Sequence, residues 1–269
     1  METHSERRSV LTAGLGLATA GTMGLLGACA TPVASKRGPR TYVLVHGAWH
    51  GGWVWKGVAQ ALRTMGHEVY APSLTGLGDR RHLLNPTINL DTHADDVVNL
   101  IEMEDLKDIV LVGWSYGGMV ASEVLARTTA RIGAMVYLDA FVPERGKALV
   151  DYAGPPAERF RQAAAKGQDI SAIPLGVFGV TDPAVIAHVT PRLSLQPAQT
   201  FVQPSKALAE RPRIPHTYVR ASGFASAGFD AFLKKFQEDP AAKAVTIPTS
   251  HLLMLTDPAA TIRLLAEAA

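Results

Sequence analysis

A single cysteine, Cys29, stands in the 269 residues of the chain. No disulfide can therefore form within it, and no cysteine-based metal cluster can be built. The nine histidines are scattered, with no His-x-x-x-His pair on a helix, so no metal site is expected. Charge is sparse as well: 19% of residues are charged and the net charge is +2. Without a run of Lys or Arg, and without aromatics interleaved among basic residues, a nucleic-acid partner is not expected. Internal repeats and low-complexity tracts are also missing.

What remains is ordinary for a protein with a substantial core: 47% of the residues are hydrophobic. The length accommodates one large α/β domain more readily than two small ones. Residues 1–30 have the layout of an export signal, with Arg7 and Arg8 ahead of a mildly apolar Gly/Ala/Thr-rich stretch. The arginine pair resembles a twin-arginine signal, although the usual Phe and Lys are missing. "LGAC" ending at Cys29 resembles a bacterial lipobox, which would place a lipid on that cysteine. "ACA" also fits an ordinary signal-peptidase site after Ala30, which would release a soluble form. The expectation is an exported protein, periplasmic or anchored to a membrane through Cys29, with a secreted soluble form as the alternative. Residues 31–39 read as a tether.

From residue 40 onward apolar strand-like runs alternate with helical segments. "TYVLVHG", "HEVYAPS", "KDIVLVG", "RIGAMVYLD", "HTYVRAS" and "KAVTIPTS" predict strands. "VWKGVAQALRTMG", "LDTHADDVVNLIEME", "GMVASEVLARTT" and "FDAFLKKFQE" predict helices between them. The second helix opens on Asp/Thr capping residues. Strands this apolar imply a mostly parallel sheet covered on both faces. Residues 143–213, rich in Pro, Gly, Ala and Gln, are too long for a plain loop and read as a small helical cap over the strand C-termini.

The chemistry is carried by Gly113-Trp114-Ser115-Tyr116-Gly117, a G-x-S-x-G between an apolar strand and a helix. Such a turn has no room for side chains at its flanks and lifts the serine into an exposed, strained position as a nucleophile. The helix N-terminus behind it favours developing negative charge. A tetrahedral intermediate needs two donors. The N–H of Tyr116 supplies one, and that of Ala48, in the loop "HGAWHGGW" after the first strand, supplies the other. Gly47 is expected to let that loop turn back over the sheet, with His46 and His50 organising it. Trp49 and Tyr116 are the candidate pocket residues.

These stretches resemble the α/β-hydrolases, and within them the esterase and hydroxynitrile-lyase branch that includes plant methyl-salicylate and methyl-jasmonate esterases. Related bacterial esterases share "VLVHGAWHGGWVW", "GHEVYAPSLTGLGDR", "LDTHADDVV" and "VYLDAFVP". The resemblance runs from about residue 40 to the C-terminus and is weakest in the cap. It implies the α/β-hydrolase fold, helices on both faces of a mostly parallel sheet and a small cap, and a triad in the order Ser, acid, His. Trp114 stands where relatives usually carry His, and an effect on pocket shape is expected.

His251, in "IPTSHLLMLTDP" after the last strand, resembles the catalytic-histidine loop of the plant esterases. His188 falls in the cap and His216 ahead of a strand. The acid of the plant enzymes follows the penultimate strand, but Gly223 and Phe224 occupy that place here. Asp139, at the end of the strand after the nucleophile's, is assigned the role, as in haloalkane dehalogenases and some lipases. Asp230 is the alternative acid, with helix capping as its structural explanation. Asp79 and Asp151 read as solvated.

The set implies a serine hydrolase that cleaves a carboxylic ester through an acyl-enzyme and needs no cofactor. Phe160, Leu175, Val177, Phe178 and Phe201 of the cap fit a small-to-medium hydrophobic substrate. The alternatives are a hydroxynitrile-lyase-like C–C lyase and a non-catalytic ligand-binding protein on the same fold. The lyases' Thr and Lys positions hold Gly47 and Leu252.

Overall fold

The computed structural model describes residues 38–268. The expected export signal, the possible lipid attachment at Cys29 and most of the tether lie outside those residues. Along the chain run β1 (Thr41–Val45), α1 (Lys56–Thr64), β2 (Glu68–Tyr70), α2 (Leu90–Met103), β3 (Ile109–Trp114), α3 (Gly117–Thr128) and β4 (Ile132–Leu138). Then follow α4 (Ala157–Ala165), α5 (Pro183–Val189), α6 (Gln199–Val202), β5 (His216–Ala221), α7 (Ala227–Gln237), β6 (Ala242–Ile247), α8 (Leu253–Thr256) and α9 (Pro258–Ala268). The strands form one sheet in the order β2-β1-β3-β4-β5-β6, every pair parallel.

Strand periodicity divides the core in two. On β1, Val43 and Val45 face one way with Leu111, beside the apolar residues of α2, α3 and α7. Tyr42 and Leu44 face the other way with Val110 and Val112, beside α1 and α9. The central strands are buried along their length, which is why they read as unbroken apolar runs rather than alternating ones. Helix α2 is capped by Asn89, two residues ahead of the expected Asp91: Asn89 Oδ1 accepts from the Thr92 N–H, and the Thr92 hydroxyl accepts from the Asn89 N–H.

Between β4 and β5 the chain forms α4, α5, α6 and short 3-10 turns, with one antiparallel bridge, Ile170 to Gln196. This is the stretch expected to be a cap. It contributes Phe160, Val177, Phe178 and Phe201 to a cavity at the C-terminal ends of the strands. Leu175 is instead buried in the core on the α1 side of the sheet.

Candidate active site

Ser115 occupies the turn between β3 and α3 with φ +55°, a left-handed conformation costly for any residue with a Cβ. The turn is tight for a countable reason. A Cβ on Gly113 would sit 2.6 Å from the Gly117 carbonyl oxygen, and one on Gly117 would sit 2.5 Å from that of Val45. The serine is held from both sides: its N–H donates to the Leu138 carbonyl (3.3 Å), and its own carbonyl accepts from Gly118 and Phe141.

Asp139 follows β4 directly and also has a positive φ, +46°. Trp114 and Leu138 are register partners, so Ser115 and Asp139 are the next residues of two paired strands. Asp139 is 0% exposed. Its Oδ2 accepts from His251 Nδ1 at 2.7 Å. Its Oδ1 accepts from the Ala221 N–H and from Arg220 Nη1, both at 3.1 Å. The structure thus brings Asp139, and not Asp230, to His251. Asp230 pairs with Arg220 Nε at 2.7 Å. It is not the cap of α7 either, because Ser226 fills that position and accepts from the Phe229 N–H.

His251 lies in an aromatic setting. Phe229 and Phe178 stack on the imidazole at centroid distances of 5.4 and 5.1 Å, and Phe224 meets it edge-on at 5.2 Å. Its backbone N–H donates to the Phe178 carbonyl. With Nδ1–H committed to Asp139, Nε2 is the free basic atom. Ser115 and His251 open on the same cavity, and no hydrogen bond joins the hydroxyl to the ring in the unliganded chain. That bond commonly tightens only once substrate is bound.

Trp114 departs from expectation. It lies away from the cavity, buried, and its Nε1–H donates to the His251 carbonyl at 2.8 Å. Trp114 therefore tethers the His251 loop and does not line the cavity. Gly47 also differs in its reason, since its φ is not left-handed. A Cβ there would come within 2.9 Å of Ser115 Cβ and 3.0 Å of the Trp114 ring. The left-handed residue of this loop is Trp49, φ +64°.

Ala48, Trp49 and Tyr116 all line the cavity. Among the described residues, neither the Ala48 nor the Tyr116 N–H has a hydrogen-bond partner. Three buried histidines fix this region. His46 donates from Nδ1 to the Gly47 carbonyl (2.8 Å) and accepts from the Leu74 N–H at Nε2. His50 donates from Nδ1 to the Ala48 carbonyl. His93 donates from Nε2 to the Thr75 carbonyl, leaving Nδ1 to accept from the Tyr116 hydroxyl at 2.9 Å. Burial pushes His46 down to about 3 and His50 to about 4, and it lowers His93 as well. His188 ends α5 and His216 opens β5, its Nδ1 donating to the Ile214 carbonyl. Asp79 and Asp151 are exposed, the latter paired with Arg161.

The cavity holds about 380 Å³. Aromatic and aliphatic side chains dominate its wall, and no Asp, Glu, Lys or Arg reaches it among the described residues. Arg220 was not singled out in the sequence. An arginine second from last in a strand that the sheet buries on both faces is the available signal.

The sequence model of the alpha/beta hydrolase family matches residues 42–264. A carbendazim hydrolyzing esterase from a Nocardioides species is 38% identical over 81% of this chain and 94% of that protein. Salicylic acid-binding protein 2 of Nicotiana tabacum is 38% identical over a shorter stretch, 38% of this chain and 40% of its own length. Among solved structures, an extracellular alpha/beta-hydrolase from a Paenibacillus species shares the fold, with a TM-score of 0.76 and 24% identity over 86% of this chain and 99% of that one. The chain belongs to the α/β-hydrolase family.

Trp114→Phe keeps the ring but removes the N–H, leaving the His251 carbonyl unpartnered. Labelling of Ser115 by a fluorophosphonate is expected to slow by about tenfold, the cost of one lost hydrogen bond. An unchanged rate would remove the tether from the mechanism. The buried histidines predict a signed pH dependence of stability. Their folded values lie below the ordinary one, so the unfolded chain binds protons that the folded chain refuses. Stability should be full above about pH 6.5 and fall toward pH 4, by up to about 1.4 kcal/mol per pH unit for each histidine. Urea midpoints measured from pH 8 to pH 4 check this, and His93→Gln should flatten the slope.

Proposed function

We propose that this α/β-hydrolase is a carboxylesterase-type serine hydrolase whose triad is Ser115, His251 and Asp139. The observation that carries the reading is the 2.7 Å bond from His251 Nδ1 to a fully buried Asp139, with Ser115 opening on the same cavity. His251 Nε2 takes the Ser115 proton as Oγ attacks the ester carbonyl. The oxyanion is received by the N–H groups of Ala48 and Tyr116. Collapse expels the alcohol, protonated by His251, and leaves an acyl-Ser115 that water hydrolyses by the same steps. Asp139 holds the imidazole in one tautomer and stabilises the imidazolium. None of these steps calls on a cofactor.

The substrate class follows from the wall. A cavity of about 380 Å³ without a charged side chain favours a neutral, small-to-medium hydrophobic ester, and its phenyl rings favour a planar acyl or alcohol group. The esterase named among the relatives supports the reaction class. The lyase alternative loses ground on packing. A threonine at position 47 would collide with Ser115, and a lysine at 252 would replace a leucine that is 1% exposed.

A panel of p-nitrophenyl esters tests the proposal. Neutral aromatic and short aliphatic acyl groups should be turned over and a succinyl monoester poorly. Ser115→Ala should abolish turnover, and Asp139→Asn should lower kcat by roughly a thousandfold. Turnover that survives in Ser115→Ala would exclude the assignment.

The paired arginines and the "LGAC" sequence support export, with either a lipid on Cys29 or release after Ala30. Mass spectrometry of the mature protein from its producing cell should find an N-terminus at Cys29 carrying acyl mass, or at Thr31 without it. A full-length chain would overturn the export reading.

A further inference from the structure

Among the described residues Arg220 is the one Arg or Lys that is buried, at 2% exposure. Its guanidinium is nearly saturated. Nη1 donates to Asp139 Oδ1 (3.1 Å) and to the Ala221 carbonyl, Nη2 to the Phe224 carbonyl (2.9 Å) and Nε to Asp230 Oδ1 (2.7 Å). The Phe224 ring lies 4.8 Å from its central carbon. A planar fork with five donors can hold this many directions at once; a lysine cannot. One cation therefore touches the acid beside His251, the loop that carries Phe224 and the first turn of α7, whose Phe229 stacks on the imidazole.

We infer that Arg220 is a positioning residue for the Asp139–His251 pair, and that Asp230, acting through Arg220, sets how much positive charge the imidazole works against. The inference rests on the triad proposed above. When His251 accepts the Ser115 proton, imidazolium, Asp139 carboxylate and guanidinium form a run of alternating charge. The guanidinium repels the imidazolium across the shared carboxylate, and Asp230 offsets part of that repulsion from the far side.

Asp230 is not the cap of α7, a place Ser226 fills; it lies in the first turn of that helix, which is why the test reads His251 rather than stability. Its side chain is 59% exposed, so its influence is partly screened by salt, whereas that of Arg220, 3% exposed, is not. The other titratable groups facing the pair hold their charge state. His50, from the loop after β1, is pushed down to about 4, and Tyr218 of β5 lies well above the ordinary tyrosine range, both by burial. From the cap the imidazole meets Phe178, which is uncharged.

The test measures two things in the wild type, Asp230→Asn, Arg220→Met and the double variant. One is the acid limb of kcat/KM for a neutral p-nitrophenyl ester, which reports protonation of His251. The other is titration of the His251 Cε1–H resonance in the unliganded protein, which needs no turnover. Asp230→Asn should move both midpoints down by roughly half a pH unit, and the shift should shrink in high salt. Arg220→Met should move them up, and the double variant should lie between. If Arg220→Met does not fold, Asp230→Glu decides by restoring the wild-type midpoint. Midpoints unmoved in Asp230→Asn would overturn the inference even where its Tm drops. Wild-type protein that turns over no ester would overturn the esterase reading, while the resonance titration still decides this one.

Discussion

A carboxylate with no solvent contact stands at the end of β4, and the site is arranged around making it tolerable. An isolated ion there would cost several kcal/mol at least. Asp139 instead receives a ring N–H from the loop after β6, a backbone N–H from the end of β5 and a guanidinium from within β5. The donors arrive from two parts of the chain, the end of β5 and the loop after β6, so the carboxylate works as a hub that ties both to the C-terminal edge of the sheet. His251, Ala221 and Arg220 are where they are because of what Asp139 needs, as much as the reverse.

The surroundings raise the stakes of that hub. Phe178, Phe224 and Phe229 crowd the imidazole, and the cavity wall offers no side-chain charge. In so apolar a setting each hydrogen bond counts for more, and each missing one costs more. The loop after β1 shows the same economy. His46 and His50 spend their Nδ1–H groups on backbone carbonyls beside the Ala48 N–H, which itself is left free. Burial that keeps both rings neutral also spares the region two cations beside a site that develops charge of its own.

The sheet, the Ser115 turn and the loop after β1 were legible because they are written locally, in apolar runs and glycine spacing. Asp139 was legible through a contradiction, an acid ending a strand with apolar neighbours. Arg220 was not, because its meaning depends on Asp139, 81 residues away, and in "HTYVRAS" it passes for a strand residue with an exposed head group. Trp114 was misread for a similar reason: position next to the nucleophile does not tell which way a ring points, and its partner is the His251 carbonyl, 137 residues later. Asp230 looked like a cap since the true cap, Ser226, sits four residues earlier in a stretch with no other helical signal.

Ser115 and Asp139 each follow the last residue of a strand, on strands that are paired in register through Trp114 and Leu138. Beyond the strand ends the Ser115 N–H donates to the Leu138 carbonyl and the Phe141 N–H donates to the Ser115 carbonyl. The spacing of Ser115 and Asp139 is therefore inherited from that of neighbouring strands, about 4.8 Å. His251 has no such strand pairing and is placed by its bonds to Asp139, the Phe178 carbonyl and the Trp114 ring N–H.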